Sequence, residues 1–237
     1  MLDAPDQAAE IGVQHLEVCH FHFPRTDDEY LARFRERLDR AGVGLLAVLI
    51  DAGDLTATNP DVRRQEIEDI KEWIDVAARA GARRVRVIAG DASADSSGDA
   101  VRLSAEGLSE LTEYARGRSV EVITENWRRL ATAPDDLLAI LDAAPDVGLC
   151  ADFGNYSGPE KYDDLAKILP RAWSIHAKAQ YPEAGRMDEG DLRRCLELAQ
   201  ESGFDGQYVL IFDGPGDEVE SLKEIARVVQ EYSPVRA

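Results

Sequence analysis

The sequence predicts a single parallel α/β barrel built from repeated strand-helix units, and three observations predict it. Short β-rich apolar runs alternate with longer segments of helical period along the whole chain. No Gly/Ser-rich or Pro-rich linker divides the sequence, so residues 1–237 read as one domain. At 237 residues and 44% hydrophobic content, the chain is long enough to bury one substantial core.

Seven strands are predicted: Gln14–Phe23, Val43–Ile50, Arg84–Ala89, Val120–Glu125, Val147–Asp152, Ala172–Lys178 and Tyr208–Phe212. Between the second and third, Ile67, Ile70, Ile74, Ala77 and Ala78 recur on one helical face, with Asn59 as cap and Pro60 as the first helical residue. The last helix carries Val219, Leu222, Ile225, Ala226 and Val229 on one face and starts at a capping box of Asp217 and Glu220. The polar stretch Asp91–Asp99 reads as a long strand-to-helix loop, the place where such barrels carry function. The chain opens in a helix-like segment, Ala4–Ile11, of the kind that follows a first strand, and no eighth strand is visible. Either the first strand is missing from the N-terminus, or the barrel is incomplete there, or another segment closes it.

Composition narrows the function. A formal net charge of −19 repels phosphate backbones and anionic lipid, so neither nucleic acid nor membrane is expected as a partner. Cys19, Cys150 and Cys195 are odd in number and far apart, which predicts reduced buried thiols rather than disulfides or a thiolate zinc site. With no leader-like start and no long apolar span, a cytoplasmic protein is expected, and a homo-oligomer stays open. There is no phosphate-binding glycine loop and no Ser-His-Asp or Cys-His grouping, which ranks nucleotide-dependent and nucleophilic mechanisms low.

In a parallel barrel the C-terminal strand ends face one mouth. Here those ends are polar: Glu17, His20 and His22; Asp51 and Asp54; Asp91; Glu125 and Asn126; Asp152 and Asn155; His176, Lys178 and Gln180; and Asp213. Three successive strands carry ITENW (Ile123–Trp127), CADFGN (Cys150–Asn155) and SIHAKAQ (Ser174–Gln180). Two carboxylates and an imidazole make an oxygen-rich donor set suited to Mn²⁺ or Mg²⁺, with Zn²⁺ and Co²⁺ also compatible.

These segments, with GFDGQYVLIFDGPGDE (Gly203–Glu218), resemble the sugar phosphate isomerase/epimerase group of the xylose isomerase-like TIM barrels, over nearly the whole chain. That superfamily also holds hydroxypyruvate isomerases, ketose 3-epimerases, inosose dehydratases and endonuclease IV-type enzymes. The resemblance implies Glu125, Asp152 and His176 as metal ligands, with Glu125 also a candidate base. The fourth ligand of the superfamily, a Glu on the last strand, aligns with Ile211, which binds no metal. Asp213 lies two residues further along the same face and either replaces that carboxylate or starts the turn at Gly214.

Lys178, two residues beyond His176, is a second candidate for proton transfer, an anchor for a substrate anion, or a salt-bridge partner that fills the metal position. Strand alternation puts His20 and His22 on one side, with His22 nearer the mouth as a substrate contact and a packed structural histidine as the bland alternative. Asp51, Trp127, Asn155 and Arg186 are the other candidate substrate contacts, and Trp127 and Tyr156 offer faces to a sugar ring or pack under loops. Asp191 reads as a helix N-cap. The expectation is therefore a metal-dependent isomerase or epimerase of a small sugar, keto-sugar or polyol. A metal-dependent lyase or dehydratase on the same site and a non-catalytic carbohydrate- or partner-binding barrel, with Lys178 in the metal's place, are the alternatives.

Overall fold

The computed structural model describes residues 1–91 and 99–233. The chain forms two compact units, Met1–Gly148 and Leu149–Ala237. The first runs α1 (Ala4–Ile11), β1 (His15–Cys19), α2 (Asp28–Ala41), β2 (Gly44–Ile50), α3 (Pro60–Ala80), β3 (Arg84–Val87), α4 (Asp99–Arg116), β4 (Glu121–Glu125), α5 (Arg128–Ala131) and α6 (Pro134–Ala143). Its four strands are parallel and lie in sequence order. Of the loop expected at Asp91–Asp99, residues 92–98 lie outside the described residues, and Asp99 already belongs to α4.

Strand register decides which side chains share a face. Cys19 pairs with Leu49, Leu49 with Arg86, and Arg86 with Ile123, while Ala47, Arg84 and Glu121 form the row below. The intervening Val48, Val85, Val87 and Val122 point the other way and are fully buried where α3 and α4 pack on the sheet. The predicted apolar stripe of α3 is the one that packs, with Ile67, Ile70, Ile74 and Ala77 buried. Arg84 and Arg86 therefore sit on the face away from the helices, at 6% and 4% exposure.

The first predicted strand runs too far. β1 stops at Cys19, and His20–His22 wind into a 3₁₀ turn closed by the Phe23 N–H donating to His20 O at 3.2 Å. Buried Phe23 packs edge-on against Phe34 at 5.9 Å and tilted against Trp73 at 6.2 Å. That packing draws the chain toward the helices, so the alternation expected of His20 and His22 does not hold.

The second unit runs β5 (Gly148–Asp152), α7 (Lys161–Ile168), β6 (Ala172–Lys178), α8 (Glu189–Glu201), β7 (Gln207–Ile211) and α9 (Glu218–Gln230), with β6 paired in parallel to both β5 and β7. Cys150 and Ser174 pair, then Asp152 and His176, and then Lys178 meets Ile211 of β7. Every residue of β5 is buried, whereas every residue of β7 is half-buried. Asp217 caps α9 by accepting from the Glu220 N–H at 3.0 Å, as the sequence predicts. The cap of α8 is Asp188, which accepts from the Asp191 N–H. Asp191 is drawn instead to the buried Lys161 ammonium, at 2.6 and 2.7 Å, and to the Tyr162 hydroxyl at 3.0 Å. Among the described residues no helix is long and apolar enough to cross a membrane.

Asn59 accepts from the Asp61 N–H at 2.9 Å and the Val62 N–H at 3.4 Å, two donors that the first turn of α3 otherwise leaves to water. Asn59→Ala is expected to destabilise the fold by about 1 kcal/mol, measured as a lower urea midpoint with unchanged slope.

Candidate functional site

In the first unit the site is built from β2, β3 and β4. Glu125 ends β4 and is only 5% exposed. Its Oε2 forms an ion pair with Arg86 Nε at 2.9 Å, and Arg86 Nη2 meets Asp51 Oδ1 at 2.6 Å. The guanidinium carbon of Arg86 lies 5.0 Å from the Trp127 ring centroid, and that of Arg128 lies 4.4 Å from it. Arg86 is the residue that sequence reasoning missed. The signal was the alternation RVRV in a short strand, since two arginines at i and i+2 share one face of an element buried on both.

Asp51 also fixes His20, whose Nδ1 accepts the Asp51 N–H at 3.2 Å while its ring stands edge-on to Trp73 at 5.1 Å. Burial lowers the His20 pKa from its ordinary value, against the opposing pull of Asp51. His20 is thus a packed, hydrogen-bonded group. His22 is exposed, edge-on to Phe21 at 4.6 Å. Asp54 organises its loop by accepting from the Thr56 N–H, the Thr56 hydroxyl and the Asp91 N–H, at 2.9, 2.5 and 3.1 Å.

In the second unit Asp152 and His176 face each other across β5 and β6, at 4% and 3% exposure, with Asp152 Oδ2 3.5 Å from His176 Nδ1. Asp152 Oδ1 accepts the Gly154 N–H at 2.6 Å, which turns the chain sharply just past the strand. A Cβ at Gly154 would lie 2.6 Å from Lys178 Cδ, so the Lys178 stem occupies the space that the missing side chain leaves. From there Lys178 Nζ reaches Asp213 Oδ2 at 2.7 Å. Asn155 is half-buried. Tyr156 is 5% exposed, its hydroxyl has no hydrogen-bond partner among the described residues, and burial pushes its phenol pKa upward. Arg186 stands exposed in a tight turn, 3.5 Å from Glu183.

Glu125, Asp152 and His176 each present one ligand atom, and each is more than nine-tenths buried. By donor type alone, the carboxylates of Glu125 in the first unit and Asp152 in the second, with the His176 imidazole, suit Mn²⁺ or Mg²⁺. Ile211, in register with Lys178, adds no donor.

The Lys178 ammonium holds the Asp213 carboxyl below its ordinary pKa through a hydrogen bond and its charge. Because the folded value is depressed, the pair contributes stability above the unfolded value of about 3.9 and loses it as the pH falls through the lower folded value. Lys178→Met is expected to move the Asp213 titration midpoint up toward that value, followed by carboxyl ¹³C resonances. An unmoved midpoint would mean that the ion pair does not form in solution.

The family described as "Xylose isomerase-like TIM barrel" matches residues 5–232. None of the curated proteins matches the chain by sequence. Among solved structures, the chain is similar to a xylose isomerase domain protein from Planctomyces limnophilus, with 20% identity, TM-score 0.73, and coverage of 96% of this chain and 90% of that one. A xylose isomerase-like TIM barrel protein from Mycobacterium smegmatis, in complex with magnesium, matches at 18% identity and TM-score 0.70, covering 98% and 89%. A 3-keto-D-glucoside 4-epimerase from E. coli matches at 14% identity and TM-score 0.73, covering 97% and 94%. At these identities the structural likeness speaks to fold, and the family match agrees with it: the chain belongs to the xylose isomerase-like TIM barrel family.

Proposed function

We propose that this chain is a divalent-metal-dependent isomerase or epimerase of a small sugar, keto-sugar or polyol, with Glu125, Asp152 and His176 as the ligands of Mn²⁺ or Mg²⁺. The observation that carries the reading is the set of three buried ligand-type side chains, two ending β4 and β5 and the third two residues before the end of β6. Barrels of this family class direct such strand ends to one mouth. The continuous family match supports one domain over residues 1–237. The E. coli neighbour is a keto-sugar epimerase and the M. smegmatis neighbour is a magnesium complex, which favour the same chemistry. Cysteines outside any disulfide among the described residues and an acidic sequence fit a small-molecule enzyme of a reducing compartment, which we take to be the cytoplasm.

When bound, the ion polarises a hydroxy-carbonyl unit of the substrate. The chain's own residues do the rest. Glu125 or Lys178 moves the proton at the carbon beside the carbonyl. His22, Asp51, Trp127, Asn155 and Arg186 are the proposed substrate contacts, Trp127 through its ring face. Asp213 enters as the counter-ion of Lys178, and only displacement of that ammonium would free it to act as a fourth ligand. A metal-dependent lyase is the second reading, favoured by Ile211 because elimination needs one base where epimerisation by opposed carboxylates needs two. The non-catalytic alternative has Lys178 lying on Glu125 and Asp152, and the Lys178–Asp213 contact weighs against it.

Calorimetry should record one Mn²⁺ per chain, lost in Glu125→Ala and His176→Ala. Incubation with a panel of keto-sugars in D₂O should place deuterium at the carbon next to the carbonyl in the product. Absence of bound ion, together with sugar turnover unchanged by Glu125→Ala, would overturn the reading. Release of water from a polyol without epimer would select the lyase.

A further inference from the structure

Arg86 carries a charge that is buried within the first unit, and it is 4% exposed. A guanidinium withdrawn from water is tolerated only when its charge is met by opposite charge. Here it is met twice, from neighbouring strands on either side: Asp51 just beyond β2 at 2.6 Å and Glu125 at the end of β4 at 2.9 Å. The Trp127 ring 5.0 Å away bounds its position. Two carboxylates against one guanidinium leave the Asp51–Arg86–Glu125 group one negative charge, which suits the edge of a cation site.

We infer that Arg86 is a positioning residue that holds Glu125 as a metal ligand in one fixed orientation. The inference rests on the metal reading proposed above. With Oε2 paired to the guanidinium, the other Glu125 oxygen would be the one left to hold the ion. Asp51 then acts through Arg86: it anchors the far side of the guanidinium, and its backbone N–H holds His20 in turn. Groups behind a ligand set its direction and basicity, and their loss commonly weakens metal binding by about 10–100-fold.

The test is calorimetric titration of Mn²⁺ into the wild type, Arg86→Met, Arg86→Lys and Asp51→Asn, with the melting temperature of each variant recorded. Arg86→Met is expected to weaken Mn²⁺ binding by about 10–100-fold. Arg86→Lys should recover part of that loss, because an ammonium keeps the charge but cannot bridge both carboxylates as the planar guanidinium does. Asp51→Asn should give a smaller loss in the same direction. A purely structural arginine would lower the melting temperature and leave the Mn²⁺ affinity of the folded protein unchanged. If Arg86→Met does not fold, Arg86→Lys and Asp51→Asn decide the matter. Variants that bind Mn²⁺ as tightly as the wild type overturn this inference and leave the metal reading standing, whereas a wild type that binds no Mn²⁺ overturns both.

Discussion

Charge buried on the strand face opposite the helices is the constraint on which the rest of this structure depends. Barrel interiors are ordinarily filled by layers of branched aliphatic side chains. In the first unit of this chain the corresponding face carries Arg84 against Glu121 at 2.9 Å and, higher up, Arg86 between Asp51 and Glu125. In the second it carries Asp152 beside His176. The buried groups among these, Arg84, Arg86, Glu125, Asp152 and His176, are costly alone and tolerable only in company, so each constrains the partner it meets. That coupling holds Glu125, at the end of β4, as a fixed buried carboxylate rather than a mobile surface acid.

The helix-facing side follows simpler rules. Val48, Val85, Val87 and Val122 meet the apolar stripes of α3 and α4, and helix starts are held by Asn59, Asp188 and Asp217. The buried Lys161–Asp191 pair, with Tyr162 on the same carboxylate, ties α7 to α8. This pairing also raises the cost of moving the start of α8, into which the loop bearing Arg186 runs. Two kinds of order thus coexist: an aliphatic layer that stabilises the fold by burial, and an ionic layer whose value lies in geometry.

How much of this was legible in the sequence follows the same division. Period-two and period-3.6 patterns reflect burial against helices, so the strands β2 to β7 and the face of α3 could be read directly, with ends off by a residue or two. β1 was overrun because His20–His22 continue the apolar-polar alternation while Phe23, packing on Phe34 and Trp73, bends the chain away. Glu125, Asp152 and His176 were visible because their motifs sit at strand ends. Arg86 was not, because arginines alternating with valines look like the solvent face of a strand until register shows which neighbours they meet. Asp191 was misread as a cap because its real partner, Lys161, lies thirty residues away on another helix. Pairings of that range are set by tertiary packing and leave no local trace.

The central claim is that buried ligands from successive strands hold one divalent ion. A crystal soaked in Mn²⁺, with diffraction collected to reveal manganese by its anomalous signal, tests it most directly. The account predicts one strong peak bonded at about 2.0–2.2 Å to Glu125, Asp152 and His176. No peak among them, with the Lys178 ammonium lying between Glu125 and Asp152 instead, would contradict it.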